Sequence, residues 1–132
     1  MLNDYEELSG GQPKNFLRPS LLLLLLEGPA HGYELLEKLK ALGFAKSDPG
    51  GVYRTLRTLE HEGLVHSTWE TSTAGPARRT YTITPEGGDQ LGSWAIVIDD
   101  SRRSLEQFLD RYTLATGQPV GSGHPSPENH PG

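Results

Sequence analysis

Asp48-Pro49-Gly50-Gly51-Val52-Tyr53-Arg54-Thr55-Leu56-Arg57-Thr58-Leu59-Glu60-His61-Glu62-Gly63 carries the punctuation of a complete helix and two chemically different faces. Asp48 is an N-cap type whose carboxylate can accept from amides of the first turn. Pro49 suits the first helical position, where an N–H would have no intrahelical partner. Gly63 stands where the chain must leave the helix, often through a left-handed residue. Val52, Leu56 and Leu59 recur at i, i+4 and i+7 and define an inward face. With that face buried, Arg54, Arg57, Thr58 and His61 point outward and Tyr53 lies on the flank.

Two further helices precede this one. The first is expected over about Pro19–Glu27, with proline tolerated in the first turn and Gly28-Pro29 as the stop. The second is expected over about His31–Leu42, with Leu35, Leu36, Leu39 and Leu42 on one stripe and Gly43 as the stop. Downstream, Leu64–Thr71 and Arg78–Thr84 are rich in Thr, Trp, Tyr, Val and Ile. The turn-forming run Ser72-Thr73-Ala74-Gly75-Pro76-Ala77 joins them into a β-hairpin. A long last helix opens at Thr84 as N-cap, followed by Pro85, and Gly87 replaces the glutamate of a capping box. The expected fold is mainly α with a small β-hairpin (α+β): a winged helix-turn-helix plus a long C-terminal dimerisation helix. Residues 1–14 read as a flexible N-terminus, 15–84 as the winged domain, 85–115 as the dimerisation helix, and 116–132 as a disordered Gly/Pro-rich tail.

Composition removes several function classes. The 132 residues include no cysteine, so disulfides and thiolate metal sites are excluded. The five histidines have no zinc-site spacing, and no metal site is expected. There is no Gly-x-Ser-x-Gly elbow, phosphate loop or clustered acid/base pair, so the chain is read as no enzyme. Leu21–Leu26 follows Lys14 and Arg18 in the manner of a signal peptide. The apolar run stops at Glu27, too short to span a bilayer, so it reads as a buried helix of a cytoplasmic protein with no membrane partner. The formal charge is −5, yet residues 28–63 balance five basic against five acidic side chains. The middle of the chain can therefore present a local basic face.

In a winged helix-turn-helix, the second central helix enters the DNA major groove and the hairpin touches the adjacent backbone or minor groove. Arg54 and Arg57 can pair with guanine edges, while Tyr53 and Thr58 can reach bases or phosphates. Gly50 and Gly51 lack side chains, so their amides can approach a phosphate. Arg78 and Arg79 beside Gly75-Pro76 would supply the wing. The competing reading makes these arginines solvated charges on a helix face and an edge strand, in a winged-helix protein-protein interaction module without DNA binding.

His31-Gly32-Tyr33-Glu34-Leu35, the run Val52–Val65 and Gly75-Pro76-Ala77-Arg78-Arg79-Thr80-Tyr81 resemble, in order and spacing, the PadR family of transcriptional regulators. The likeness covers about residues 13–112. Pro13-Lys14-Asn15-Phe16-Leu17, Gly43-Phe44 and Ser67-Thr68-Trp69-Glu70-Thr71-Ser72 are most similar to its poly-β-hydroxybutyrate-responsive repressors. The resemblance implies a homodimer held by the C-terminal helix and a pseudo-palindromic double-stranded operator. It also implies repression tuned by an effector, with Tyr53, Arg54 and Arg57 as DNA contacts and Arg78 and Arg79 as wing contacts.

The last helix bears Leu91, Trp94, Ala95, Ile98, Leu105, Phe108, Leu109 and Tyr112, and four of these recur at seven-residue spacing (Leu91, Ile98, Leu105, Tyr112). Such a stripe asks for a partner helix and makes this helix the expected homodimer seam. Ser101 and Arg102 interrupt it. Arg102 either pairs with Asp99 or Glu106 in its own helix, or faces a polar effector pocket. In the pocket reading Arg102, Arg103, Asp99 and Asp110 would recognise a guanine nucleotide. The family resemblance adds a planar aromatic near Trp94 and, for the subgroup, a hydroxyalkanoate. The residues do not choose among these, and no other cofactor is expected.

Overall fold

The computed structural model describes residues 16–43, 48–71 and 75–121. The chain divides into two compact units, residues 1–94 and 95–132. The elements run α1 (Leu17–Glu27), β1 (Ala30–His31), α2 (Gly32–Ala41), α3 (Pro49–His61), β2 (Val65–Glu70), β3 (Arg78–Ile83) and α4 (Pro85–Thr116). This is a mostly helical winged-helix fold with a small antiparallel sheet and a long C-terminal helix, as the sequence pattern implied. The expected flexible N-terminus at 1–14 lies outside the described residues, as do 122–132 of the expected tail and residues 72–74 of the turn.

The core of the first unit comes from every element before α4. Leu21, Leu22, Leu24 and Leu25 of α1 meet Leu35 and Leu39 of α2, Val52, Leu56 and Leu59 of α3, and Val65 and Tyr81 of the sheet. Each buried aliphatic side chain contributes about 1.5–3 kcal/mol relative to exposure. The unbroken leucine run is divided by packing and not by polarity: Leu23 and Leu26 stay exposed while their neighbours are covered. α1 begins two residues earlier than expected. Pro19 is accommodated because the first-turn amides have no intrahelical acceptor in any case.

Two sequence expectations are corrected. The β element is a three-stranded sheet ordered β1-β3-β2, not a hairpin alone. Ala30 pairs with Tyr81 and His31 with Thr80, which places His31 in extended backbone as the N-cap of α2. Helix α2 therefore starts at Gly32 and ends at Ala41, and Leu42 lies beyond the stripe, 40% exposed. By contrast α3 has the expected caps: Asp48 accepts from the amides of Gly50 and Gly51, and Gly63 adopts φ +78°.

Thr84 ties the second strand pair to α4. Its hydroxyl donates to the Gly63 carbonyl at 2.7 Å and accepts from the Gly87 amide at 3.1 Å. Gly87 is buried, and a Cβ there would overlap the Leu64 carbonyl. Close packing therefore explains why a glycine replaces the capping-box glutamate.

Candidate nucleic-acid interface

Helix α3 buries Val52, Leu56 and Leu59 completely and turns Arg54 and Arg57 to solvent. Arg54 leans back to the N-cap, with its Nη2 3.5 Å from Asp48 Oδ2. Among the described residues Arg57 has no ion-pair or hydrogen-bond partner. Thr58 is exposed, but its hydroxyl donates to the Arg54 carbonyl at 3.0 Å, which leaves its oxygen only as an acceptor. The expectation of open amides at Gly50 and Gly51 is corrected. Both already donate to Asp48, at 3.3 and 3.0 Å, and a phosphate there would have to displace a carboxylate.

Tyr53 projects from one flank of α3 against Gly32, where a Cβ would overlap its ring. This contact gives Gly32 a packing role and fixes the tyrosine at the edge of a groove of about 720 Å³, lined also by His31, Tyr33, Glu34, Arg78 and Arg79. Tyr33, 69% exposed, was not singled out from sequence, because a lone tyrosine on a helix start has no periodic signature.

The histidine in this groove joins α2 to the wing. Thr80 gives its hydroxyl proton to Glu70 at 2.5 Å, so its oxygen accepts from His31 Nδ1 at 3.2 Å. The Arg79 carbonyl lies 3.4 Å from the same nitrogen and can only accept. Both oxygens are satisfied by the His31 tautomer that carries its proton on Nδ1. The His31 amide donates to Glu34 at 2.9 Å, and this hydrogen bond is the main cause holding the Glu34 carboxyl below its usual range.

The two wing arginines differ. Along β3, successive side chains alternate between faces. Arg79 shares a face with Tyr81 and with its cross-strand partner Trp69, and its guanidinium carbon sits 5.0 Å from the Trp69 ring centroid. Arg78 shares the opposite face with Thr80 and Glu70. Stacking pre-orients Arg79 at an exposed strand end, and Arg78 instead adds positive charge beside Glu34.

A second groove, about 360 Å³, runs along the other flank of α3 and is lined by Leu17, Arg18, Gly51, Arg54, Thr55 and Thr58. Sequence reasoning attended to Arg18 only as a flank of the leucine run. In the structure its Nη2 meets Glu62 Oε1 at 2.6 Å.

Of the expected seam residues, Leu91 packs against the first unit's core and Trp94 is half-buried. In the second unit Ile98 is half-buried, whereas Leu105, Phe108, Leu109 and Tyr112 are exposed. Ile96, Val97 and Leu114 are exposed as well, off the expected stripe. The local alternative for Arg102 is the one observed. Its Nε and Nη2 donate to Asp99 Oδ1 at 3.1 and 2.7 Å, and its Nη1 donates to Glu106 at 2.6 Å. Arg103 donates to the other Asp99 oxygen at 2.8 Å. The Arg102 hydrogen bond holds the Asp99 carboxyl below its usual range, and Asp99 pushes Arg102 up. Ser101 and Asp110 are exposed.

The model of the PadR-like family of transcriptional regulators matches residues 21–93, more than half of the chain. The chain belongs to this family. A solved structure of a conserved protein of unknown function, described as a potential transcriptional factor, is 34% identical with a TM-score of 0.70, over 78% of this chain and 92% of its own. A PadR-like regulator from Bacillus cereus is 32% identical with a TM-score of 0.59, over 70% and 93%. Bacillus subtilis PadR, solved with operator DNA, is 28% identical with a TM-score of 0.58, over 64% of this chain and 48% of its own. No curated protein matches the sequence. Among the described residues, no helix of this PadR-family chain is long and apolar enough to cross a membrane, and no group of acidic or histidine side chains is placed to hold a metal.

Proposed function

We propose that this PadR-family regulator binds a pseudo-palindromic DNA operator as a homodimer and represses transcription from it. The observation that carries the reading is α3: one face fully buried, the opposite face bearing Arg54 and Arg57, with a groove on each flank. A helix so anchored presents arginines to base edges in the major groove, and the Trp69-stacked Arg79 extends the contact to the neighbouring backbone. The operator complex of Bacillus subtilis PadR supports carrying DNA binding to this chain.

The exposed apolar side chains Leu105, Phe108, Leu109 and Tyr112 support a second copy as the partner of α4. An effector belongs to the same proposal. Because the Arg102 donors are already engaged by Asp99 and Glu106, a planar aromatic at half-buried Trp94 is better supported than a guanine nucleotide read by Arg102, Arg103, Asp99 and Asp110. A winged-helix protein-interaction module is the other reading of the same surface. Selection of genomic fragments by the purified chain separates them: enrichment of a shared two-fold motif supports the regulator. Recovery of random fragments, with no loss of affinity as salt rises, contradicts it.

A further inference from the structure

Helix α3 has a third surface besides its buried face and its arginine face. Gly51, Thr55, Thr58 and Glu62 follow one another down a flank, and the start of α1 lies beside them to close the second groove. Two arginines from different helices, Arg18 and Arg54, line this groove, and among the described residues no acidic side chain does. The carboxylates they touch stand at opposite ends of α3: Asp48 is its N-cap and Glu62 its C-cap. Both pairs are solvent-accessible, with Arg18 27% and Glu62 42% exposed in their side chains.

The geometry points to this groove as the subsite for one sugar-phosphate strand, with Arg18 as its phosphate contact and Glu62 as the carboxylate that holds Arg18 when DNA is absent. The inference rests on the DNA-binding reading and adds to it a residue outside both the recognition helix and the wing. A helix inserted in the major groove has a backbone strand against each flank. Arg18, on α1 ahead of the α2–α3 helix-turn-helix pair, lines the groove on one of these flanks. A guanidinium fork fits carboxylate and phosphate oxygens alike, so phosphate can take the place of Glu62 without a new side-chain geometry. Leu17, on the same groove, offers apolar surface to a deoxyribose.

Exchange of partners gives the two members of one ion pair opposite effects. In the full-length chain, titrated against an operator fragment over a range of salt, Arg18→Ala should bind roughly tenfold more weakly and lower the salt slope by about one per bound chain. Base preference should not change, and Arg18→Lys should keep the slope. Glu62→Gln breaks the same pair yet frees Arg18 and removes a negative charge, so it should bind DNA several-fold more tightly, roughly the loss of one competing contact. An unchanged slope in Arg18→Ala, or a Glu62→Gln chain that binds no tighter than wild type, would make the pair a brace between α1 and α3 and overturn the inference. Arg57→Ala runs alongside. If it too leaves binding intact, the DNA-binding reading fails; if it alone weakens binding, only the Arg18 subsite fails.

Discussion

Leu56 on α3 and Phe108 on α4 are both apolar residues of amphipathic helices, yet the first is fully covered and the second keeps 67% of its surface exposed. The contrast extends across the two units. In the first, thirteen buried apolar residues from α1, β1, α2, α3, the loop after α3 and the sheet close one core. In the second, Leu105, Phe108, Leu109 and Tyr112 of α4 are exposed among the described residues. The first unit thus completes the fold that displays Arg54 and Arg57, while the exposed apolar side chains of α4 are those we propose a second copy covers. Stability and assembly should accordingly separate by region.

The largest effect expected from this contrast is in the core. Leu56→Ala should cost about 2–5 kcal/mol, because it leaves a cavity under the recognition helix, and denaturant unfolding reads this directly. Phe108→Ala should instead leave the winged unit folded and make sedimentation shift to monomer at a concentration where wild type is dimeric. Equal losses of unfolding free energy from both would erase the distinction between the regions.

A second comparison sets the two wing arginines against each other. Arg79 stacks on Trp69, and Arg78 lies on the opposite strand face near Glu34. Trp69→Ala should therefore reproduce much of the Arg79→Ala loss, about 0.5–2 kcal/mol of DNA affinity, and leave Arg78→Ala additive with it. Non-additivity between Trp69→Ala and Arg78→Ala, measured by a double-mutant cycle, would contradict the face assignment.

The smallest effect belongs to the ion pairs of α4. The Asp99 carboxyl is held below its usual range by Arg102, so its contribution is present above the ordinary aspartate range and is lost only as pH falls through the lowered value. Helix content followed by circular dichroism should not distinguish wild type from Asp99→Asn by any change between neutral pH and about pH 5. A wild-type transition within that window, absent in Asp99→Asn, would show that the pairing differs in solution.

The legibility of the sequence followed its punctuation. Helix α3 was readable because Asp48, Pro49 and Gly63 each have one conformational use, and because its leucines alternate with charges. The leucines of α1 carry no such contrast, so which of them face the core is decided by packing alone. Strand β1 was invisible because two residues have no period; only their pairing with Tyr81 and Thr80 makes them a strand. The same limit applies at the interface. Arg54, Arg57, Arg78 and Arg79 stood out as charges in an otherwise patterned region, whereas Arg18 and Tyr33 become part of the surface only when α1 and α2 fold beside α3. The Asp48 carboxylate over the Gly50 and Gly51 amides is a third example, since composition marked both the cap and the open backbone, and geometry lets one occupy the other.

The most direct test of the central claim is the affinity of the full-length chain for its selected operator, compared with a quadruple Arg54→Ala, Arg57→Ala, Arg78→Ala, Arg79→Ala variant of unchanged thermal stability. The account predicts loss of specific binding, with each recognition-helix arginine worth about 1–3 kcal/mol, and a flatter salt dependence on random DNA. A quadruple variant that binds the operator as tightly as wild type would contradict it.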